Sequence, residues 1–442
     1  MKPLSILSLV LALLPAQSGW AQSSMSLNPG TFKVLKVPKI TGGITFDGKP
    51  DEAAWQSVGH LPMTMFTPVY GDQPTEKSIV KIAYDEDFFY VSGFLNCQRP
   101  ENIRAVGKKR DYSTMSSDYF GFILDTYNDN ENAVSFHTNP NGIRCDATVK
   151  NDAVDLNSDL SSSWNTFWDV KTSISNKGWS TEFRIPFSSL RFQNIQKKTK
   201  MGLLVMRYCA AKNEISIWPA IPSDFTVPYW KPSLCCEIEF EGLKPEKPLY
   251  VTPYLTAGNS QTSELNQPGT GYVMPSTPKF DAGLDVKYSL TNNLTADLTV
   301  NTDFAQVEAD EQRINLTRYS LYFPEKRPFF LEKADVFDFS FLEGENLFYS
   351  RRIGLYDRNP VRIYGGLRTT GRIGEWDVGV LDMQTKAFRE NPGENFGAMR
   401  FKRKVFNPNS FVGGMLTSRL GTVGSYNVAY GLDGLFRVTG NE

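Results

Sequence analysis

The feature that most constrains the fold is an alternation of apolar and polar residues in the second half of the chain. In residues 280–290 the even positions are apolar and the odd positions are polar or glycine, and residues 294–304 largely repeat this pattern after a turn. Successive side chains of a β-strand point to opposite faces, so a period of two predicts strands with one apolar face. The sequence therefore predicts an antiparallel hairpin.

The same alternation returns further along the chain. We expect four more strands, with a register shift at Val380-Leu381, in residues 361–372, 376–385, 396–406 and 426–438. Strands of about ten residues cross a bilayer when tilted, although a soluble sheet with one buried face would alternate too. We interpret residues 250–442 as the first part of an antiparallel outer-membrane-type β-barrel. Its inward polar face would carry Arg362, Arg368, Arg400 and Lys402.

The amino terminus has the three parts of a secretory signal peptide in residues 1–21. Met1 and Lys2 give a polar, positive start, residues 4–14 are apolar, and small residues precede the expected cleavage site. We expect an exported protein of the outer membrane, with its amino-terminal domain on the periplasmic side. Beyond residue 21 no run of about 18 apolar residues occurs, which excludes helical membrane spans. A net charge of −1 provides no basic surface for nucleic acid.

Residues 36–241 are predicted to form a separate domain. Short strand-like runs separated by turn residues are typical of an antiparallel β-sandwich; they are residues 79–84, 88–95, 119–125, 133–138, 144–149, 168–175, 179–185 and 202–208. Residues 242–249 are charged and contain proline, as expected of a linker. The predicted fold class is all-β, with a sandwich followed by the first part of a barrel.

Four motifs in this domain resemble the family 9 carbohydrate-binding module. In order along the chain they are residues 48–55 (GKPDEAAW), 84–91 (YDEDFFYV), 118–120 (DYF) and 178–186 (GWSTEFRIP). The resemblance covers about two hundred residues. It implies a β-sandwich of the kind that accompanies glycan-degrading enzymes, with a polysaccharide or oligosaccharide as partner.

Carbohydrate binding requires flat aromatic faces for the C–H groups of a sugar ring and planar polar groups for its hydroxyls. Trp164 lies in a polar loop, and Tyr112 is a second ring with Arg110 close by in sequence. We predict Trp164 and Tyr112 as the walls of a sugar site, with Arg110 and Trp168 beside them. Core packing is the alternative for Trp168, as it is for Trp55 and Trp179, because all three adjoin periodic elements.

Oxygen-bearing side chains are concentrated in residues 125–132, and calcium prefers such ligands. Calcium ligation by Asp125, Asn128 and Asn130 is one hypothesis, and an ordinary hairpin turn is the other. The five cysteines are an odd number without C-x-x-C spacing. They leave room for one disulfide bridge and do not indicate a zinc site. Apart from calcium, no cofactor is expected.

Three motifs in the second half resemble an uncharacterised outer-membrane β-barrel family, DUF5916-like, whose members join a family 9 module to a carboxyl-terminal barrel. They are residues 303–310 (DFAQVEAD), 323–330 (FPEKRPFF) and 350–354 (SRRIG). The resemblance implies a Gram-negative source and outer-membrane lipid as a partner. The predicted strands are too few to close a barrel, which would leave backbone groups unsatisfied in lipid. We therefore expect a portion of a longer protein, or closure by oligomerisation.

Residues 323–332 place three charges between two prolines and follow them with aromatic residues. Glu325, Lys326 and Arg327 are able to pair among themselves, and Phe329 and Phe330 are available for burial. We predict a structured loop or plug that folds against the barrel mouth and contacts the first domain.

The predicted function is non-catalytic carbohydrate binding, in the capture or passage of glycans or other envelope material. A glycosidase needs two carboxylates across a cleft, and the sequence places none opposite Glu182. Neither histidine stands in a nucleophilic triad motif. Two alternatives remain open: a glycoside hydrolase of carbohydrate catabolism, and a sugar-inactive scaffold that binds other envelope proteins.

Overall fold

The chain is all-β. The computed structural model describes residues 34–436 except 113, 155, 163, 193–197, 226, 244–246, 262, 292, 303–322, 324, 326, 332, 343–344, 357–358 and 407–409. The predicted signal peptide, residues 1–21, lies outside the described residues. The α-helices of the described part have four residues each: α1 (Ala53–Gln56), α2 (Leu156–Asp159) and α3 (Pro328–Leu331). None of its helices is long and apolar enough to span a membrane.

The first part of the chain forms two packed sheets. Its strands are β1 (Leu35–Lys36), β2 (Thr64–Thr67), β3 (Ser78–Tyr84), β4 (Phe88–Asn96), β5 (Tyr119–Asp125), β6 (Ala133–Thr138), β7 (Cys145–Val149), β8 (Leu160–Ser161), β9 (Asp169–Ser175), β10 (Gly178–Pro186), β11 (Lys198–Cys209), β12 (Glu214–Trp218) and β13 (Cys236–Glu241). The larger sheet has the order β1-β13-β11-β5-β6-β7-β8; in addition, β12 pairs with β11, and β2 pairs with β12. The smaller sheet is β3-β4-β10-β9.

The main core of this sandwich lies between the two sheets. Phe120, Phe122 and Phe136 of the larger sheet meet Phe89 and Phe183 of the smaller one, and all five are fully buried. Neighbouring rings make edge-to-face contacts, as aromatic pairs prefer. Strands β4, β5 and β10, which carry four of these rings, are buried along most of their length.

A second cluster covers the outer face of the larger sheet. Ile123, Leu204 and Ile217 are buried there beneath loops that carry Tyr229 and Trp230. The loops include short 3₁₀-helices at Asn151–Ala153, Pro228–Trp230 and Pro232–Leu234. Both faces of this sheet are therefore covered by protein. All five cysteines are free thiols.

The second part contains an eight-stranded antiparallel sheet with the order β14-β17-β18-β23-β24-β25-β26-β27. Its strands, with three short hairpins, are β14 (Leu249–Gln261), β15 (Glu264–Leu265), β16 (Tyr272–Val273), β17 (Ser276–Ser289), β18 (Leu294–Val300), β19 (Ser340–Leu342), β20 (Glu345–Asn346), β21 (Leu355–Tyr356), β22 (Asn359–Pro360), β23 (Ile363–Ile373), β24 (Trp376–Thr385), β25 (Glu394–Lys404), β26 (Phe411–Gly421) and β27 (Tyr426–Leu435). Among the described residues this sheet is open at β14 and β27, so the barrel stays a prediction.

Burial in this sheet is the reverse of that in a soluble core. In β18 the polar side chains Thr295, Asp297 and Thr299 are buried, whereas Leu298 and Val300 are exposed. The predicted hairpin is confirmed, because β17 pairs with β18 in the register Leu284↔Val300 to Ser289↔Thr295. We call the two sides of the sheet the covered face and the apolar exposed face.

The described residues of 323–353, here called the covering segment, lie on the covered face, and the burial predicted for Phe330 is confirmed. Phe330, Phe337 and Phe339 are buried against Leu381 and Met383 of β24. Glycines make room for this packing: a Cβ at Gly379 would lie 2.7 Å from Val336, and one at Gly431 would lie 2.6 Å from Phe339.

The register shift predicted at Val380-Leu381 is wrong. The β23–β24 register runs unbroken through these positions, and its irregularity lies instead between Ile363 and Gly365. Two adjacent apolar residues occur because Val380 is exposed on one face while Leu381 packs under the segment on the other. The two adjacent residues are both apolar, but their side chains still point to opposite faces of the strand.

Candidate functional site

A cavity of about 500 Å³ lies where the sandwich meets the eight-stranded sheet. The sandwich and the eight-stranded sheet belong to one compact unit. The sandwich contributes β6, β7 and the loop at residues 164–167, and the sheet contributes β14, β17 and β18. The covering segment adds Phe329, Lys333 and Ala334. Cavities of this volume commonly hold small-molecule ligands.

Five aromatic side chains line this cavity: Tyr127, Trp164, Phe167, Tyr250 and Phe329. The rings of Phe167 and Tyr250 are stacked across the junction, with centroids 5.9 Å apart and an interplanar angle of 21°. The Tyr250 hydroxyl donates to the carbonyl of Ser188 at 3.4 Å. Aromatic faces from both the sandwich and the sheet are therefore available to a sugar ring.

The loop that carries Trp164 is held from inside the sandwich. Asp146, 1% exposed, accepts a hydrogen bond from the Thr166 N–H at 2.8 Å and pairs with Arg110. Burial raises the pKa of Asp146, and these partners oppose that rise. The indole of Trp164 packs edge-on against Phe136 of the core, with centroids 6.2 Å apart. Trp164 is thus placed by core and polar contacts together.

The sheet supplies polar groups to the same cavity. The β17–β18 register sets Lys287 opposite Asp297, with 3.8 Å between ammonium and carboxylate. Asp285 stands opposite Thr299 and accepts its hydroxyl hydrogen bond at 2.5 Å. Carboxylates held in this way can accept hydrogen bonds from ligand hydroxyls.

The structure places the four predicted sugar-binding residues differently. Trp164 lines the cavity, whereas Tyr112 and Arg110 do not. Tyr112 is 44% exposed on a neighbouring loop, and Arg110 acts on the Trp164 loop through Asp146. The sugar contacts expected of Tyr112 and Arg110 stay predictions.

Trp168 belongs to the core, which was the alternative to a site role. It is 2% exposed and stacks on Phe183, with centroids 5.6 Å apart and an interplanar angle of 2°. Its indole face is therefore not available to a ligand. Trp55 and Trp179 are each 1% exposed.

The loop predicted to bind calcium is closed by its own backbone. The carboxylate of Asp125 accepts hydrogen bonds from the N–H groups of Asp129 at 3.1 Å and Asn130 at 2.8 Å. The Asn128 amide donates to Glu237 at 3.0 Å. In the part of the chain that the structure describes, no group of three or more His, Cys, Asp or Glu side chains could hold a metal ion. These contacts are those of a capped turn, and calcium stays a prediction.

The same loop docks onto the eight-stranded sheet. Asp129 pairs with Arg372 of β23 at 3.2 Å, and Lys404 donates to the Asp129 carbonyl at 3.2 Å. Burial alone would raise the pKa of Asp129, but the charges of Arg372 and Lys404 outweigh it and lower the pKa to about 2. The loop is therefore an ionic contact between the sandwich and the sheet.

The covering segment contacts the sandwich through residues that follow the predicted 323–332. The Lys150 ammonium lies 2.6 Å from the Asp338 carboxylate, and the Lys333 ammonium lies 3.8 Å from the centroid of the Tyr127 ring. Within the segment, Arg327 pairs with Glu325 at 2.7 Å; Lys326 lies outside the described residues. The contact with the sandwich that was expected of residues 323–332 is thus made by Lys333 and Asp338, which follow them.

Phe167 and the cavity residues of the sheet were not predicted from the sequence. Phe167 follows Trp164 in the same polar loop, so a search for every ring in that loop would have found it. Tyr250 begins β14, a strand that alternation did not predict. Nothing in the sequence signals that Asp285, Lys287 and Asp297 face the sandwich, because that depends on docking.

Comparison with known proteins gives one family match and one structural likeness. Residues 246–365 match the model of DUF5916, a domain of unknown function, which confirms that resemblance over these residues. A solved carbohydrate binding module of family 9 from Caldicellulosiruptor kristjanssonii, in complex with cellotriose, is 18% identical with a TM-score of 0.33. The alignment covers 48% of this chain and 95% of that one. No curated protein matches. A structural likeness with so low a TM-score does not place a ligand in this chain, so the candidate site rests on the chain's own residues.

Proposed function

We propose that the protein binds an oligosaccharide in the cavity between the sandwich and the eight-stranded sheet, without covalent chemistry. The observation that carries this proposal is the aromatic lining formed by Trp164, Phe167 and Tyr250 around a volume of about 500 Å³. Sugar rings stack on such faces, and Asp285 and Asn165 supply polar groups at the same cavity. The chain would capture a glycan at the junction of its two parts.

We also propose that the eight-stranded sheet begins an outer-membrane β-barrel of an exported protein, with the sandwich on the periplasmic side. Support comes from the apolar exposed face, on which a row of directly paired side chains crosses four strands: Val380, Met399, Leu416 and Tyr430. A large exposed apolar surface marks a site of contact with lipid or protein.

The covered face favours capture of a glycan over its passage. Arg368 and Arg400, predicted to point inward, are each 1% exposed beneath the covering segment. Arg368 donates to the Phe329 carbonyl, and Arg400 pairs with Asp433. Passage along this face would require the segment to move away from both arginines.

A glycan screen with the full chain in detergent tests the binding proposal. We expect retention of the protein on at least one plant, algal or bacterial polysaccharide, and at least a tenfold loss of affinity in Trp164→Ala. Tyr70→Ala is the matched control, since Tyr70 is an exposed ring outside the cavity. Release of reducing ends would support the hydrolase alternative. Unchanged affinities in Trp164→Ala would contradict the proposal and favour a scaffold.

A further inference from the structure

A second cavity, of about 480 Å³, lies beside the cavity proposed as the sugar site. Three of the described residues line both cavities: Tyr127, Asn132 and Lys333. The two cavities are therefore adjacent, and the second is nearly equal to the first in volume. Val154, which also lines the second cavity, is 72% exposed, so this cavity opens to solvent.

Side-chain contacts between the sandwich and the covering segment lie where the two cavities meet. The Lys333 ammonium lies 3.8 Å from the centroid of the Tyr127 ring, and both residues line both cavities. Lys150 of the first cavity pairs with Asp338 of the second at 2.6 Å, so this ion pair crosses the same boundary. We call these two contacts the partition.

The partition is built from contacts that a ligand can displace. The Lys150 and Asp338 side chains are 27% and 40% exposed, and ion pairs with this much access to solvent contribute little to stability. Lys333 has a positive φ of 55°, which is uncommon for a residue other than glycine and tends to occur at ligand clamps and switches. Neither contact belongs to the hydrophobic clusters, so the partition can open without unpacking a core.

The second cavity offers the same kinds of group as the first. Its lining includes the ring of Phe411, which is partly exposed and provides a face for the C–H groups of a sugar. It also includes the carboxylates of Asp377 and Asp433, each 23% exposed. Arg372 and Arg400 pair with these carboxylates, but a carboxylate has about four lone-pair sites and can accept a ligand hydroxyl as well.

We propose that the two cavities are successive subsites for one oligosaccharide, which displaces the partition and continues from the first cavity into the second. This inference rests on the proposed sugar-binding function and deepens it by assigning the length of the ligand. A trisaccharide has the size that a cavity of about 500 Å³ commonly holds. A longer oligosaccharide uses both cavities, with its rings stacked on aromatic side chains in each.

Calorimetric titration of the full chain in detergent, with oligomers of defined length, tests the inference. The probes are a trimer and a hexamer, prepared by partial hydrolysis of the polysaccharide that the protein retains in the glycan screen. A single site can bind a hexamer in about four overlapping positions, so an advantage of about fourfold over the trimer needs no second cavity. We expect the hexamer to bind at least about tenfold more tightly, because its second half binds intramolecularly.

The outcomes separate the inference from the function beneath it. A smaller advantage of the hexamer, in protein that binds both oligomers, would overturn the inference and leave sugar binding standing. Failure of every polysaccharide and of both oligomers to bind would overturn the proposed function, and the inference with it.

Removal of a ring from the second cavity supplies the second readout. Phe411→Ala should lower the ratio of hexamer to trimer affinity about tenfold, since Phe411 lines the second cavity and not the first. Phe406→Ala is the matched control, because this phenylalanine is 91% exposed and lines neither cavity. Phe411→Leu, which keeps an apolar side chain but removes the aromatic face, gives the same readout if the alanine variant unfolds. An unchanged ratio in the folded variant would overturn the inference.

Discussion

The carboxylate of Asp129 lies 3.2 Å from the guanidinium of Arg372, across the junction between the sandwich and the eight-stranded sheet. Their side chains are 3% and 10% exposed, and Arg372 is also paired with Asp377 at 2.6 Å. The loop that the sequence suggested for calcium thus docks one part of the chain on the other, through Asp129 and not through the predicted ligands Asp125, Asn128 and Asn130. Neither side chain of the pair lines the cavity of about 500 Å³ proposed as the sugar site; the pair joins the two parts of the chain that form it.

Removing the charge of Asp129 should weaken the junction. In Asp129→Asn the Oδ1 acceptor that receives the Glu131 and Asn132 N–H groups is retained, so the loop keeps its turn. Because Arg372 keeps Asp377 as a partner, we expect a loss of about 1–2 kcal/mol in the free energy of unfolding. Denaturant unfolding measures this, with exposed Asp224→Asn as the control. Equal stability of the two variants would contradict a role for the pair.

The guanidinium of Arg327 should not be replaceable by an ammonium group. Arg327 makes a two-point pair with Glu325 and donates to the carbonyls of Ser350 and Ile353 at 2.6 and 2.7 Å. Lysine carries the charge but not the planar fork, so Arg327→Lys should loosen the covering segment by about 2 kcal/mol. Limited proteolysis would then cut within residues 323–353. Cleavage no faster than in the unchanged protein would contradict this.

Acid should destabilise the sandwich through His137. Burial lowers the pKa of this imidazole from 6.5 to about 4, and the ring stacks near Trp230 with centroids 4.9 Å apart. The unfolded chain binds the proton more readily than the folded chain does. The stability that depends on the neutral His137 imidazole is therefore fully present above pH 6.5 and is lost as the pH falls from 6.5 to 4. We expect about 2–3 kcal/mol of lost stability between pH 7 and pH 4.5. His137→Asn should show a smaller loss over that interval, and an equal loss would contradict the assignment.

A charge on the apolar exposed face should be tolerated poorly if that face meets lipid. Leu416→Lys places an ammonium in the paired row that crosses four strands, and such a substitution costs about 2–4 kcal/mol near a bilayer midplane. Unfolding in lipid vesicles measures the cost. Val423→Lys, in the turn between β26 and β27, is the control because this residue is 82% exposed outside the strands. Equal stability of the two variants would contradict lipid contact.

Residue periodicity predicted most of the strands because their faces differ chemically. Alternation located the β17–β18 hairpin and strands β23, β24, β25 and β27, and strand-like runs located eight strands of the sandwich. It missed β14, whose side chains are exposed along most of its length, and β26, where glycines interrupt the pattern. It also missed β2, β12 and β13, although β12 and β13 are as long as β7 and β6, which it located.

The candidate site was only partly predictable, because most of it arises from docking. Trp164 was predicted from a ring in a polar loop, and the cavity includes it. Trp168 has the same local signal but packs on Phe183, a contact set by the distant strand β10. The partners Tyr250 and Lys287 reach the cavity only when the sheet meets the sandwich, which no local pattern encodes.

Tyr250→Ala tests most directly the central claim that the sugar site is built jointly by the sandwich and the sheet. Calorimetric titration of the full chain with a glycan that it retains should show about a tenfold loss of affinity, comparable to that of Trp164→Ala. Tyr272→Ala is the matched control, since this exposed tyrosine lies outside the cavity. Affinity equal to that of the unchanged protein in Tyr250→Ala would contradict the claim and place sugar binding on the sandwich alone.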